Sequence, residues 1–297
     1  MGNMLKFECR RLFKKPSFYV CLGLCAVFTI LTIVVSRANF NDMLKYYSSS
    51  IGDEYSYYSL ENMKETFAKN FSPDMLALNN TGISMMSTIT GISMMSTIMA
   101  IFMGIFVCED RVRGTIKNIY ARGYSRTDVF LAKFIVASVT ATLIFTAITL
   151  VAYISGWIMF ATKPFEVTPL KVNGIWLLIL GKFVAILGVT ALYFMLSELI
   201  GTTGFSIAAN IFLPSVASMI LYIGLELIYF VASKGDNFNY EAVMKIAEYW
   251  IYSLASSGFA EEMKVEDYVG HLCASGGYVI LFGFLSWLIA RKKQVKN

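Results

Sequence analysis

Apolar residues gather in six long runs along the chain, at 17–36, 81–107, 131–160, 174–197, 204–231 and 270–290, and polar residues fill the gaps between them. A bilayer core of about 30 Å is crossed by roughly 20 helical residues, because backbone groups cannot be left unpaired in hydrocarbon. Each run meets that length, so the pattern predicts six spanning helices. The polar segments are 1–16, 37–80, 108–130, 161–173, a short turn near 198–203, 232–269 and the tail 291–297.

Composition agrees with the pattern. The 297 residues are 57% hydrophobic and 15% charged, with a mean hydropathy of +0.61, which describes a chain solvated mostly by lipid. The expected fold class is all-α, a polytopic integral membrane protein with a single transmembrane domain over 1–297. The first apolar run follows a basic segment and imitates a signal peptide. It is too long for a signal core of roughly 7 to 15 residues and has no A-x-A site, so it reads as a retained span.

Lys and Arg stay on the cytoplasmic side of a membrane. With the N-terminus inside, that side holds fifteen of the 25 bases and five acids, a net of +10, whereas the outer loops carry nine bases and fourteen acids, a net of −5. Both termini and the 108–130 loop are therefore expected in the cytoplasm. The remaining two charges, Lys182 and Glu226, fall inside spans. They are costly in hydrocarbon, and either pair with one another or snorkel outward. Gly204 and Pro214 in the fifth run predict a break or kink where a pathway could be lined.

Cys9, Cys21, Cys25, Cys108 and Cys273 fall in or beside apolar runs and imply no disulfide framework. Cys21 and Cys25 share a helix face, but His271 is the one histidine of the sequence, so they read as packing residues and no metal site is expected. Residues 81–98 are a nine-residue tandem repeat, TGISMMSTI twice. Nine residues advance a helix by about 2.5 turns, so the two copies face opposite ways. The repeat reads as a duplication that lengthens the second span, or else as a flexible Met-rich surface.

The loop after the second run is dense in charge: EDRVRGTIKN, residues 109–118, holds two acids and three bases. Ile116, Ile119 and Tyr120 recur at i, i+3, i+4 and predict a short amphipathic helix over about 112–121. Gly123 is its stop, and Ser125 with Asp128 three residues on forms a capping box that opens the third span. Such a helix can lie on anionic lipid or seat its apolar face in a partner's groove. Glu109 and Asp110 favour the partner, because acids at a negative surface need a protein base to meet.

At these residues a resemblance enters. E-x4-G-T-I (Glu109, Gly114, Thr115, Ile116), R-G-Y-S-R at 122–126 and Lys133 resemble the region after the second helix of ABC-2 family permease subunits, above all bacterial peptide-antibiotic and toxin-peptide exporters. FECRRLFKKPSFY, 7–19, is similar to that family's amphipathic elbow helix. The match in motif covers about 5–20 and 105–135, and the topology matches nearly throughout. The resemblance implies the ABC-2 (type V exporter-like) architecture in a bacterial plasma membrane, with 1–16 as the elbow. It makes 112–121 a coupling helix in which Glu109, Asp110, Arg113, Gly114, Thr115, Ile116, Ile119 and Tyr120 meet an ATP-binding subunit. Two copies of that subunit, holding ATP and Mg, and a second permease protomer, identical or paralogous, are implied partners, with an amphipathic peptide or lipophilic antibiotic as cargo.

No G-x4-G-K-[ST] occurs in the sequence, so ATP hydrolysis is expected in a separate subunit and no cofactor is expected here. Nor does it contain H-E-x-x-H, G-x-S-x-G or paired intramembrane carboxylates, which argues against a membrane enzyme; nothing points to nucleic acid. The alternative is a channel or sensor without an ATPase. In the outer link, 239–254 places Val243, Ile246, Ala247, Trp250, Ile251 and Leu254 on one face, predicting a helix on the outer interface that serves as an anchor; the resemblance to ABC-2 permeases implies an external gate there instead. The 37–80 loop covers an exit, contacts a substrate or is an inert cap.

Overall fold

The computed structural model describes residues 2–49, 72–82, 94–161, 174–232, 245–256 and 265–292. Among these the fold is all-α. In chain order the helices are α1 (Gly2–Lys14), α2 (Pro16–Ser49), α3 (Pro73–Gly82), α4 (Met94–Val112), α5 (Thr115–Ala121), α6 (Arg126–Ala161), α7 (Ile175–Ile200), α8 (Thr203–Ala232), α9 (Ile251–Ser256) and α10 (Val265–Lys292).

Among the described residues five helices are long and apolar enough to cross a membrane: Pro16–Val35 within α2, Arg126–Ile158 within α6, Ile175–Ile200, Thr203–Phe230 within α8, and Val265–Lys292. A polytopic membrane protein follows. The second apolar run is described from Met94 only, and α4 ends in Glu109, Asp110 and Arg111. Most of the first repeat copy and the start of the second lie outside the described residues. Ser96, in the second copy, is buried.

Helix α7 is the centre of the bundle. Its most apolar window is 61% buried, against 11% in α8 and α10, so α7 faces protein on most sides while α8 and α10 present apolar surface outward. Helices α3, α4, α6, α8, α9 and α10 all pack on it. Small residues allow the closest crossings. A Cβ on Gly104 would stand 2.7 Å from Ile207 Cγ1 and 3.1 Å from its backbone nitrogen, which draws α4 onto α8. A Cβ on Gly156 would stand 2.8 Å from the Pro73 Cα.

That second contact corrects an expectation. The end of the 37–80 segment was read as part of a polar outer loop, yet α3 is packed between α6 and α7, with Ser72, Leu76, Ala77 and Leu78 buried. Ten residues are too few to register as a span, and the helix fits only because Gly156 has no side chain. The link at 232–269 differs too. Its described part has one helical turn at 245–248, a break at Tyr249 and Trp250, then α9. Ala247, Ile251, Leu254 and Ala255 are buried against the bundle, whereas Ile246 is exposed. The segment inserts into the bundle instead of lying along an interface.

Candidate functional site

One end of the bundle carries α1, the C-terminal turn of α4, α5 and the first turns of α6. Met4, Glu8 and Leu12 of α1 repeat every four residues and are all buried, so one helical stripe faces the bundle. It puts a carboxylate into the packed surface, and it brings Arg11 and Lys15 over the end of α4.

There the charges close into a cluster. Arg11 Nη1 lies 2.5 Å from Asp110 Oδ1, and Lys133 Nζ of α6 lies 2.6 Å from Asp110 Oδ2. Arg11 Nη2 donates to Glu109 Oε2 at 2.8 Å. Lys15 donates to the same oxygen, and Arg113 Nη2 stands 3.1 Å from Glu109 Oε1. Next in the chain, Arg111 donates to the Glu198 carboxylate and, at 2.9 Å, to its backbone carbonyl, tying α4 to the end of α7. Helices α1, α4, α6 and α7 are thus joined by charge at one level.

Burial raises the Asp110 carboxyl, but Lys133 and Arg11 outweigh it and hold the group well below the ordinary carboxylate range. Glu109 follows the same balance, lowered by Lys15 and Arg11 against its own burial. Glu8 is different. Burial dominates over the bases Lys133 and Arg11, Asp110 adds repulsion, and its carboxyl is raised. The closest cation to it is Arg11 Nη1 at 3.5 Å, and neither Glu8 oxygen accepts a hydrogen bond among the described residues.

The short helix sits beside this cluster. Gly114 precedes it at φ 68° and Gly123 follows at φ 86°, left-handed conformations that favour glycine. Thr115 Oγ1 donates to Asp110 Oδ1 at 3.0 Å, linking the helix start to the ion cluster. At the far end, the Asp128 backbone N–H donates to Ser125 Oγ at 3.1 Å, and the Ser125 hydroxyl donates to Asp128 Oδ2 at 2.7 Å. The expected cap of α6 is formed. The helix itself is shorter than expected, starting at Thr115 because Gly114 turns the chain after Val112.

Its apolar face is turned inward. Ile119 and Tyr120, with Tyr124, pack on Met4 of α1 and on Val129 and Ala132 of α6, and Ile116 is half-buried. Arg113, Thr115, Lys117, Asn118 and Arg122 face outward. Glu109 and Asp110, which the sequence suggested would meet a partner's bases, are met by bases of their own chain. Arg11, Lys15 and Lys133 lie 22 or more positions away, beyond the reach of any spacing argument.

The model of the DUF2705 family, a protein of unknown function, matches residues 56–295. The chain belongs to the DUF2705 family. No curated protein matches it. In this DUF2705 member the cluster joins residues inside the matched range, Glu109, Asp110 and Lys133, to Glu8, Arg11 and Lys15, which precede it.

The other expected site residues lie apart from this end. Lys182 of α7 is buried and donates to the Leu78 carbonyl at 2.8 Å, near the C-terminus of α3, where the helix dipole favours a cation. Glu226 is on an exposed face of α8, so a backbone carbonyl, and not Glu226, meets the Lys182 ammonium. Gly204 falls in the first turn of α8, and that helix is continuous through Pro214 to Ala232. Cys21 and Cys25 are packed in the core.

Missed by the sequence reading was a polar junction deeper in the bundle. Tyr252 of α9 donates to Tyr193 of α7 at 2.5 Å, and Tyr193 also shares a hydrogen bond with Ser96 of α4. Trp250 Nε1 donates to Ser218 Oγ at 2.8 Å. A Cβ on Gly188 would meet the tip of Ile251 at 2.7 Å. Alternating tyrosines and serines leave no periodic sign of such pairing.

Proposed function

We propose that this chain is the transmembrane permease subunit of an ATP-driven exporter of ABC-2 type. In this reading α4 and the residues before it form a sixth span, both termini and the charged end are cytoplasmic, and the membrane is a bacterial plasma membrane. Two copies of a separate ATP-binding subunit, holding ATP and Mg, dock at the charged end, and a second permease protomer completes the pathway. Closure of the ATPase pair moves α5, and the helices fixed to it alternate the opening of a route for an amphipathic peptide or lipophilic antibiotic.

The observation that carries the reading is the mounting of α5. A lone seven-residue helix is not stable by itself, yet α5 is exposed on one side and fixed on the other to α1 and α6 by packing and to Asp110 by Thr115. Force applied to such a helix passes to α4, α6 and α7 through the ion pairs. The docking face is then the outward Lys117 and Asn118, and Ile119 and Tyr120 have a positioning role.

The test is purification of the full chain from its native membranes, with a search for a co-purifying subunit that carries G-x4-G-K-[ST] and hydrolyses ATP. Lys117→Glu with Asn118→Asp is expected to abolish that association at unchanged melting temperature. Ile119→Asp is expected to lower both. An unaltered ATPase association in the Lys117/Asn118 variant would overturn the docking face, and the lack of any ATPase would favour a channel or sensor.

A further inference from the structure

Helix α1 and the segment 113–122 enclose a cleft at the charged end. Phe7, Arg11 and Arg113 line both of its halves. Arg122 and Asp110 border the half toward α5; Arg10, Lys14, Lys15 and Glu109 border the half toward α2. Six bases and two acids make the lining strongly positive.

The acids are used up in the wall. Glu109 and Asp110 hold Arg11 and Lys15 in place, while Arg10, Lys14 and Arg122 are exposed and make no ion pair among the described residues. Arg113 touches Glu109 yet keeps a 72% exposed side chain. Three cationic groups at the opening therefore have no ion pair among the described residues, and a fourth, Arg113, is paired with Glu109 while most of its side chain stays exposed.

The position of the opening names the anion. Pro16, which lines the cleft, is also the first residue of the apolar span Pro16–Val35, so the cleft stands at the boundary between lipid and water. Phe7 of the lining is exposed, and Phe13, Tyr19 and Val20, exposed as well, are close in the chain to the lining residues Lys14 and Pro16; the Tyr19 hydroxyl donates to the Phe13 carbonyl at 3.0 Å, which gives an aromatic wall where acyl chains begin. A free phosphate or nucleotide has no use for that wall. An anionic phospholipid uses both: its phosphate takes the guanidinium forks, and its chains lie on the aromatic residues.

We propose that this cleft is a binding site for the headgroup of an anionic phospholipid of the leaflet bordering the charged end. Arg10, Lys14, Arg113 and Arg122 hold the phosphate, and Phe13 and Tyr19 guide the acyl chains. A choline or ethanolamine headgroup brings a cation into a positive cleft and is disfavoured. Asn118 borders the cleft as well as the proposed docking face, but it brings no charge, and the four bases that hold the phosphate are all outside the Lys117/Asn118 pair.

The test is native mass spectrometry of the delipidated full chain in detergent, with phosphatidylglycerol or phosphatidylcholine of the same acyl chains, and with glycerol phosphate as a competitor. Retention of phosphatidylglycerol is expected to exceed that of phosphatidylcholine by about tenfold or more, given the usual worth of a few bases near an anionic surface. Arg10→Gln with Lys14→Gln, and separately Arg122→Gln, are expected to cut that preference several-fold at unchanged melting temperature. Lys292→Gln, a base outside the cleft, is expected to keep it. Equal retention of the two lipids, a preference that survives all three cleft substitutions, or displacement by equimolar glycerol phosphate would each overturn the proposal.

Discussion

Arg11 and Asp110 meet at 2.5 Å across the junction of α1 and α4, in a site where the Asp110 side chain is 4% exposed and the Arg11 side chain 17%. Lys133 closes the other carboxylate oxygen. A charge so enclosed is tolerable only while both bases are present, since stripping one side of a buried pair leaves the other without compensation.

Asp110→Asn is therefore expected to destabilise the chain by about 2–4 kcal/mol, because Arg11 and Lys133 would be left facing an amide. Arg113→Ala is the contrast. It breaks an ion pair at a largely exposed side chain and is expected to cost less than about 1 kcal/mol. Thermal unfolding of the two variants in detergent checks the ranking; equal losses would mean that the cluster is no more than surface charge.

The same cluster fixes a pH dependence of two signs. Asp110 and Glu109 are lowered from ordinary values of 3.8 and 4.5, so each stabilises the fold above its unfolded value and loses that contribution as pH falls through its folded one. Glu8 is raised from 4.5. Its favourable contribution is complete below pH 4.5 and is lost as pH rises through the raised value. Glu8→Gln is expected to stabilise the chain at pH 7–8 and to give progressively less as pH approaches 4.5. A melting temperature that drops at pH 7–8 and recovers toward pH 4.5 would instead assign Glu8 a charged structural role.

What the sequence made legible was local. The five long apolar helices, the Ser125 cap, the stop at Gly123 and the apolar face of Ile119 and Tyr120 all rest on spacings of a few residues, which a helix converts directly into geometry. What covers that face could not be read, because Met4 and Val129 lie on opposite sides of it in the chain. Arg11 and Asp110 are likewise joined only by tertiary folding. PDMLALNNTG, residues 73–82, has no apolar stripe, and its burial depends on the gap at Gly156.

That gap makes a prediction. The Pro73 Cα would lie 2.8 Å from any Cβ at position 156, and a backbone atom cannot swing aside as a side-chain tip can. Gly156→Val is expected to push α3 off α6 at a cost of about 1–3 kcal/mol, whereas Gly276→Val in α10, where a Cβ meets nothing within 4 Å, is expected to be tolerated apart from the change in helix propensity. Comparing their melting temperatures checks the seating of α3. Equal tolerance would show that α3 is not packed there.

Helix α9 is six residues long and cannot hold its shape unaided, so its order depends on what it touches. Ile251 and Leu254 supply an apolar anchor against the bundle, and Tyr252 adds a directional one through Tyr193. Tyr193→Phe keeps the ring but removes the oxygen that both Tyr252 and Ser96 use, taking from the Tyr252 hydroxyl the acceptor it donates to. A loss of about 1–3 kcal/mol follows. Because α9 has no other part of its length to fall back on, the effect should concentrate there: hydrogen exchange at 251–256 is expected to speed up by tenfold or more, while the α7 amides on either side of position 193 stay protected. Uniform acceleration of α7 and α9 together would mean that the tyrosine pair supports the whole bundle and does not pin α9 in particular.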